Sequence, residues 1–278
     1  MAFTITTLVE NSAGQHKSLH PEYGLSFLVR SGHDCIVFDT GQSDQFLRNA
    51  HYLCENPADD VEQVVLSHGH YDHTGGLPEL LRATSRALTV HVGSGFFTPK
   101  YGVNGPALEY NGNRFSRAEV EQHGHSVHEH TEKVTEILEN VFVVTRFDRT
   151  RDPDWPNPRF VIPGRTGFDV DPFDDEVSLV VKTKQGLVLL VGCSHPGILN
   201  IIATVQQRFG DPIRAILGGT HLMEASGARL HKALSMLASL DGTLLGMSHC
   251  TGETAMGRLA ELSENYFHNH TGTSLILE

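Results

Sequence analysis

The stretch that decides the fold is Ser67-His68-Gly69-His70-Tyr71-Asp72-His73. It follows the apolar run Val61 to Leu66, which reads as a strand, so the cluster occupies the turn at that strand's C-terminal end. His68, His70, Asp72 and His73 fall within six residues. Such spacing in a turn points several side chains into one space, and imidazole nitrogen with carboxylate oxygen suits zinc, manganese or iron. Four such groups side by side repel when charged, which a cation relieves. One turn cannot complete two coordination spheres, so the missing ligands are expected at other strand ends. Two later predicted strands end in histidine, at Val191-Gly192-Cys193-Ser194-His195 and Gly246-Met247-Ser248-His249, and a third gives Gly218-Gly219-Thr220-His221. The expected ligands of two divalent ions, zinc foremost and manganese, iron or magnesium as alternatives, are His68, His70, Asp72, His73, His195 and His249. A lone histidine is more often a packed residue than a ligand, and His221 reads equally as a substrate-binding group or a tie between loops. Asp39, ending a strand at Phe38-Asp39-Thr40-Gly41, reads as an orienting carboxylate for a ligand histidine or as a simple turn residue.

Working outward, short strands are expected at Thr4 to Val9, Leu25 to Val29 and Cys35 to Phe38, followed by a helix from Ser43 to Leu53. Gly75-Gly76-Leu77-Pro78 opens another helix, with proline tolerated in its first turn. Leu88 to Val92 reads as a strand. From about residue 93 to 167 the pattern loosens, and the stretch reads as an insertion or lid over the site, with a helix near Arg117 to His125 and a strand at Val141 to Thr145. Within it, the tract Gln122 to His130 (QHGHSVHEH) reads as a solvated helix end or loop that gathers metal weakly or places an acid/base histidine over the pocket. Alternation then resumes: strands Val177 to Thr183 and Leu187 to Val191, helix Ile198 to Phe209, strand Ala215 to Leu217, helix Arg229 to Leu240, strand Thr243 to Met247, helix Thr254 to Ser263 and strand Ser274 to Leu277. Strands and helices alternate in both halves, which predicts one α/β domain over residues 1–278 with mixed sheets covered by helices.

Of 278 residues, 21 are basic and 33 acidic, a formal net charge of −12, and no cluster of Lys and Arg is present; nucleic acid is a poor expectation as partner. Four cysteines, Cys35, Cys54, Cys193 and Cys250, show no CxxC pairing or disulfide framework, and a reducing cytoplasm is the simplest setting. No apolar run reaches the roughly 18 residues of a membrane span, and the N-terminus shows no secretory signal. The oligomeric state is not legible.

The run His68 to Gly76, H-G-H-Y-D-H-T-G-G, resembles the HxHxDH signature of the metallo-β-lactamase superfamily. That resemblance implies an αββα sandwich of two similar halves with the metals at one edge. His68 and His70 then match ligands of a first metal, Asp72 and His73 those of a second, and His249 the last ligand. Most members have a histidine before a strand and Gly-Asp after the next. This chain has Asp174-Asp175-Glu176 and Gly192-Cys193-Ser194-His195 instead. His195 is assigned as the replacement ligand of the first metal, with Asp175 or Glu176 as contributors and Cys193 near the metals or substrate. The stretches Thr6 to Asn11, Phe38 to Ser43, Gly192 to Ile198 and Gly218 to Leu222 further resemble the dihydropterin-ribofuranosylaminobenzene-phosphate-synthase-like group, whose other members are called metal-dependent hydrolases.

Three functions follow as expectations. The first is a hydrolase of a small ester, lactone or phosphoester, in which a metal-bound hydroxide attacks and Asp72 orients the water or receives a proton. Its small-molecule substrate is expected to be anionic, with Lys100, Arg114, Arg117 and Arg159 as candidate partners. The second is a pterin-linked transferase that releases pyrophosphate, with Phe96, Phe97, Tyr101 and Trp155 as a flat aromatic pocket. The third is a non-catalytic metal-binding sensor, which the intact cluster argues against.

Overall fold

The computed structural model describes residues 2–152 and 157–278. The apolar runs pair into two large mixed sheets. The first orders its strands Ser274–Leu277, Phe3–Val9, Ser26–Ser31, Asp34–Phe38, Gln63–Val65, Thr89–Gly93 and Ser126–His130. Pairing is antiparallel up to Asp34–Phe38 and parallel from there on. The second orders Leu244–Met247, Ile213–Gly218, Gly186–Val191, Ser178–Thr183, Val141–Val144 and Val134–Leu138, parallel among the first three and antiparallel beyond.

Burial follows the expected layering. Side chains such as Phe27, Phe38, Val143, Leu179 and Leu190 fill the space between the sheets. Helices Gln45–Tyr52, Leu77–Ala83 and Arg117–Gln122 cover the outer face of the first sheet through Phe46, Leu77, Leu80 and Val120. Helices Ile198–Phe209, Gly227–Ala238 and Glu253–Leu262 cover the second. The helix Ile198–Phe209 shows why: Ile198, Ile201, Ile202 and Val205 fall on one face at helical spacing, and Gly210 ends it at φ 74°, in the left-handed region that favours glycine. The result is an αββα sandwich. A parallel strand must be reached by a crossover, so every parallel strand ends at the same edge. The turns after Asp34–Phe38, Gln63–Val65, Gly186–Val191, Ile213–Gly218 and Leu244–Met247 therefore converge there.

The stretch expected as a loose insertion is largely regular. Ser126–His130 completes the first sheet, and Val134–Leu138 with Val141–Val144 completes the second. The tract ending at His130 is thus an edge strand rather than a solvated loop, paired in parallel with Thr89–Gly93. Its histidines interrupt the apolar alternation, which hid the strand. Four further strands, Gly167–Val170, Phe160–Gly164, Tyr101–Asn104 and Ala107–Tyr110, form an antiparallel sheet of their own, joined to the metal turn by a bridge between His70 and Gly112. Among the described residues, no helix is long and apolar enough to cross a membrane.

Gly93 ends its strand against the turn that carries Asp175. A Cβ there would lie 2.1 Å from the Asp175 carbonyl oxygen, a backbone atom that cannot swing aside. Gly93→Ala is expected to cost about 1–3 kcal/mol in urea unfolding. Gly257→Ala, in open space on the helix Glu253–Leu262, is expected to be neutral or to stabilise by up to about 1 kcal/mol.

Candidate metal centre

The converging turns need unusual backbone. Asp39, Ser194, His221 and His249 follow strand ends, and with Phe173 they adopt φ between 48° and 59°. Left-handed conformations of non-glycine residues cost on the order of 1–3 kcal/mol each and persist where surrounding contacts fix them. Those contacts are present. The Leu25 N–H donates to the Asp72 carbonyl (3.2 Å), Thr40 N–H to His73 (2.7 Å), Val177 N–H to Ser67 (2.7 Å) and Gly219 N–H to Gly192 (2.9 Å). Gly192 lets the strand end approach the metal turn, since a Cβ there would meet Ser67 Oγ at 2.1 Å.

Asp39 organises the first turn. Its Oδ1 accepts the Ser67 N–H at 2.7 Å, and its Oδ2 accepts from Ser67 Oγ at 2.8 Å and from His73 Nδ1 at 2.6 Å. That fixes the His73 proton on Nδ1 and leaves Nε2 as a bare lone pair facing the centre. Asn11 does the same for His249, accepting from Nδ1 at 2.8 Å, while Glu10 accepts the His249 N–H at 2.6 Å. His73 Nε2 lies 3.2 Å from His249 Nε2, and Asp72 Oδ2 lies 3.2 Å from His249 Nε2 and 3.8 Å from His73 Nε2. A second group forms beside it. His68 Nε2 is 3.0 Å from His70 Nδ1, and the His195 ring lies 4.8 Å and 4.9 Å from those of His68 and His70.

Two trios with ligand atoms all within 4.8 Å of one another result: His68, His70 and His195, and Asp72, His73 and His249. Cys193 joins them. Its Sγ is 3.1 Å from His73 Nε2, and it groups within the same limit with His68 and His73, one from each trio. All seven side chains are buried. His70 Nε2 is buried without a hydrogen-bond partner. Nitrogens 3.0–3.2 Å apart, with the outer Nδ1 atoms of His68, His73 and His249 turned onto oxygens, come close to what tetrahedral zinc with bonds of roughly 2.0–2.1 Å demands of its ligands. The donor set fits divalent metal.

Other expected residues take different positions. Asp175 and Glu176 orient backbone: Asp175 Oδ2 accepts Gly69 N–H at 2.9 Å and Glu176 Oε2 accepts His195 N–H at 2.8 Å. His221, with its ring 4.6 Å from that of His195, belongs to none of the metal-compatible groupings among the described residues and lines the pocket instead. That pocket, of about 180 Å³, is walled by Tyr23, Tyr71, Phe160, Arg159, His221 and Glu224. Lys100 is not available to a substrate: it is 2% exposed and paired with Asp171 at 2.7 Å and Asp175 at 2.9 Å. Arg117 pairs with Glu129 away from the site, whereas Arg159 reaches the mouth, bonded to Glu224. Arg114 lies over the Tyr71 ring at 6.0 Å. Phe96 and Phe97 pack on each other and on Phe115, and Tyr101 on Tyr110 and Phe168, so none walls the pocket; Trp155 lies outside the described residues. Sequence reading missed Glu10, Asn11, Tyr23, Phe160 and Phe173, the last stacked on His195 at 3.7 Å and 7°. Glu10 and Asn11 were findable, since they too follow a strand end.

Burial dominates the electrostatics. It lowers the His68, His70 and His195 pKa values well below the usual imidazole range, with neighbouring imidazoles adding to the effect at His68 and His195. Burial likewise brings His221 and His130 down to about 4 and His91 to about 3. His73 is the exception. Burial would lower it, but Asp39 and Asp72 raise it. Burial alone would raise Asp72, but His73 and His249 hold its carboxyl far below the usual range. The sign for folding follows. A histidine whose folded pKa is depressed gives stability that is complete above the unfolded value of about 6.5 and is lost as pH falls below it. His73 has the opposite sign and offsets one of the six. The metal-free protein is therefore expected to lose stability steadily from pH 7 to pH 4.5, measured as a falling urea midpoint, and His91→Gln should flatten part of that slope.

Comparison with known proteins now has geometry to rest on. A profile of the metallo-beta-lactamase superfamily matches residues 20–195, more than half of the chain. The solved structure of Tm1679, described as a metal-dependent hydrolase of the beta-lactamase superfamily, superposes with a TM-score of 0.84 at 31% identity over 98% of both chains. A 7,8-dihydropterin-6-methyl-4-(beta-D-ribofuranosyl)-aminobenzene-5'-phosphate synthase of Methanocaldococcus jannaschii is 25% identical over 96% of this chain and 94% of its own length. An uncharacterised protein of that organism is 28% identical over 96% and 98%. The fold, the HxHxDH turn and these matches agree: the chain belongs to the metallo-beta-lactamase superfamily.

Proposed function

We propose that the chain is a hydrolase of a small, anionic ester, lactone or phosphoester, working with two divalent ions. His68, His70 and His195 would hold one ion, and Asp72, His73 and His249 the other, with Cys193 between them. The observation that carries this reading is that both trios, joined through Cys193, adjoin one pocket of about 180 Å³, which His70, Asp72 and Cys193 help to line. Six of the seven donors are nitrogen or sulfur, which favours zinc over magnesium. Ions bound there would lower the pKa of a coordinated water toward about 7 and polarise a carbonyl or phosphoryl oxygen.

The protein's own residues supply the rest. Asp72 stays ionised, so it orients rather than accepts a proton. His221, neutral at pH 7 and on the pocket wall, is placed to hydrogen-bond the substrate there rather than to supply a proton. Arg159 at the mouth meets the anionic part of the substrate, in exchange for Glu224. Tyr23, Tyr71 and Phe160 give apolar walls to a flat organic group.

Those walls also support a second reading, joining a dihydropterin to an arylamine with pyrophosphate release, because the archaeal synthase aligns over 96% of this chain. A pterin diphosphate with an arylamine separates the two: pyrophosphate and a coupled product support transfer, whereas hydrolysis of simple esters without coupling supports the hydrolase.

Elemental analysis of protein purified without added metal tests the site. Near two equivalents of zinc are expected, falling toward one in His195→Ala and in His249→Ala. Cys193→Ser should weaken both sites together, and in the cobalt-loaded protein it should abolish a thiolate-to-cobalt charge-transfer absorption in the near ultraviolet. One equivalent or fewer in the wild type, unchanged in His195→Ala, overturns the assignment. Tight metal with no turnover across esters, lactones, phosphoesters and the pterin pair would instead favour a sensor.

A further inference from the structure

The edge of the first sheet holds a histidine cluster that the metal centre does not use. Thr89–Gly93 and Ser126–His130 pair in parallel, with His91 opposite His128 and Gly93 opposite His130. Side chains alternate along a strand, so His91, His128 and His130 share one face. The neighbouring residues Val90 and Val92 are packed on the helices of the other face. His91 Nδ1 lies 2.9 Å from His130 Nε2, and His91 Nε2 lies 2.6 Å from Gln63 Oε1. The His128 ring is 4.5 Å from that of His130 and 5.8 Å from that of His91.

We infer that His91, His130 and His128 form a separate binding site for a late first-row dication, zinc or nickel, which clips the last parallel strand onto the sheet. Three observations carry it. The facing nitrogens at His91 and His130 are spaced as those of His68 and His70 are, 2.9 Å against 3.0 Å. Gln63 Oε1 accepts a hydrogen bond from His91 Nε2, which leaves Nδ1 as a lone pair aimed at His130, the arrangement by which an outer oxygen sets a metal-binding tautomer. His130 Nδ1 is buried without a hydrogen-bond partner, so its proton can move there and free Nε2 for a cation. His128 is exposed; as placed, the three histidines do not bring ligand atoms all within 4.8 Å of one another, and a rotamer change at His128 is what would supply the third nitrogen from the edge, with water completing the sphere. Burial, with neighbouring imidazoles adding to it, lowers His91 to about 3 and His130 to about 4, so both are neutral at neutral pH. The chemistry is imidazole only, which excludes magnesium and calcium as occupants. The structural gain is plain: an edge strand in parallel pairing is the weakest member of a sheet, and a cross-link holds it in register.

The test uses the full chain with its principal centre already loaded with zinc, dialysed against further zinc and, separately, nickel. The wild type is expected to take up one more equivalent, with a rise in melting temperature. His91→Gln and His130→Gln should each lose that equivalent and that rise while keeping the first two. His128→Ala, on the exposed edge where folding is not at risk, should weaken the extra site about tenfold or more. Equal metal uptake and equal melting shifts in the wild type and all three variants would overturn the proposal, as would an extra equivalent that survives in both buried-histidine variants.

Discussion

Five buried imidazoles cannot share one space in a fold without something to offset their desolvation and mutual repulsion, and the rest of this structure is arranged around that constraint. His68, His70, His73, His195 and His249 are all nearly inaccessible to water. Their backbone and outer nitrogens are held by a ring of acidic and amide oxygens: Asp39 on His73, Asn11 and Glu10 on His249, Glu176 on the backbone of His195, Asp175 on that of Gly69. Each oxygen fixes an orientation of the turn, and Asp39 and Asn11, bonded to ring nitrogens, also leave the inward-facing Nε2 atoms of His73 and His249 without protons. The centre is therefore preorganised for cations before any arrive, and the strained turns at Asp39, Ser194, His221 and His249 are the structural cost.

The same constraint explains the division between what could and could not be read from the chain. An α/β domain of mixed sheets covered by helices was legible because strand and helix periods alternate in both halves, and the αββα arrangement followed from the resemblance of the HxHxDH turn to the metallo-β-lactamase signature. Helix Ile198–Phe209 and strand Ser274–Leu277 coincide with their sequence boundaries. The groups His68–His70–His195 and Asp72–His73–His249 assemble residues chosen by one rule, that ligands lie at strand ends. What failed was reading polar residues as solvent-facing. Lys100, a candidate partner for an anionic substrate, is instead clamped between two aspartates in the interior. The tract ending at His130 looked like a loop because its histidines masked the period of two. Phe96, Phe97 and Tyr101 were chosen for aromaticity, which marks packing far more often than a pocket. Tyr23, Phe160 and Phe173 come from distant parts of the chain, and nothing in their local sequence announces that the fold brings them to His195 and His249.

The departure from Gly-Asp to Gly-Cys at residues 192 and 193 acquires meaning from geometry. Gly192 is retained because the strand end must pass close to Ser67. Cys193 then presents sulfur where it touches both trios. Burial pushes its thiol well up, so without a cation it is neutral, and the centre as a whole carries fewer formal negative charges than a carboxylate there would give. Sulfur at that position would favour thiophilic metals over magnesium or calcium.

The most direct test of this account is X-ray diffraction from crystals of the protein purified without added metal, with data collected on both sides of the zinc absorption edge. The account predicts two anomalous peaks at the strand-end edge, one bonded by His68, His70 and His195 and one by Asp72, His73 and His249, with Cys193 Sγ within bonding distance of at least one. A single peak, or two peaks with Cys193 Sγ turned away from both, would contradict it.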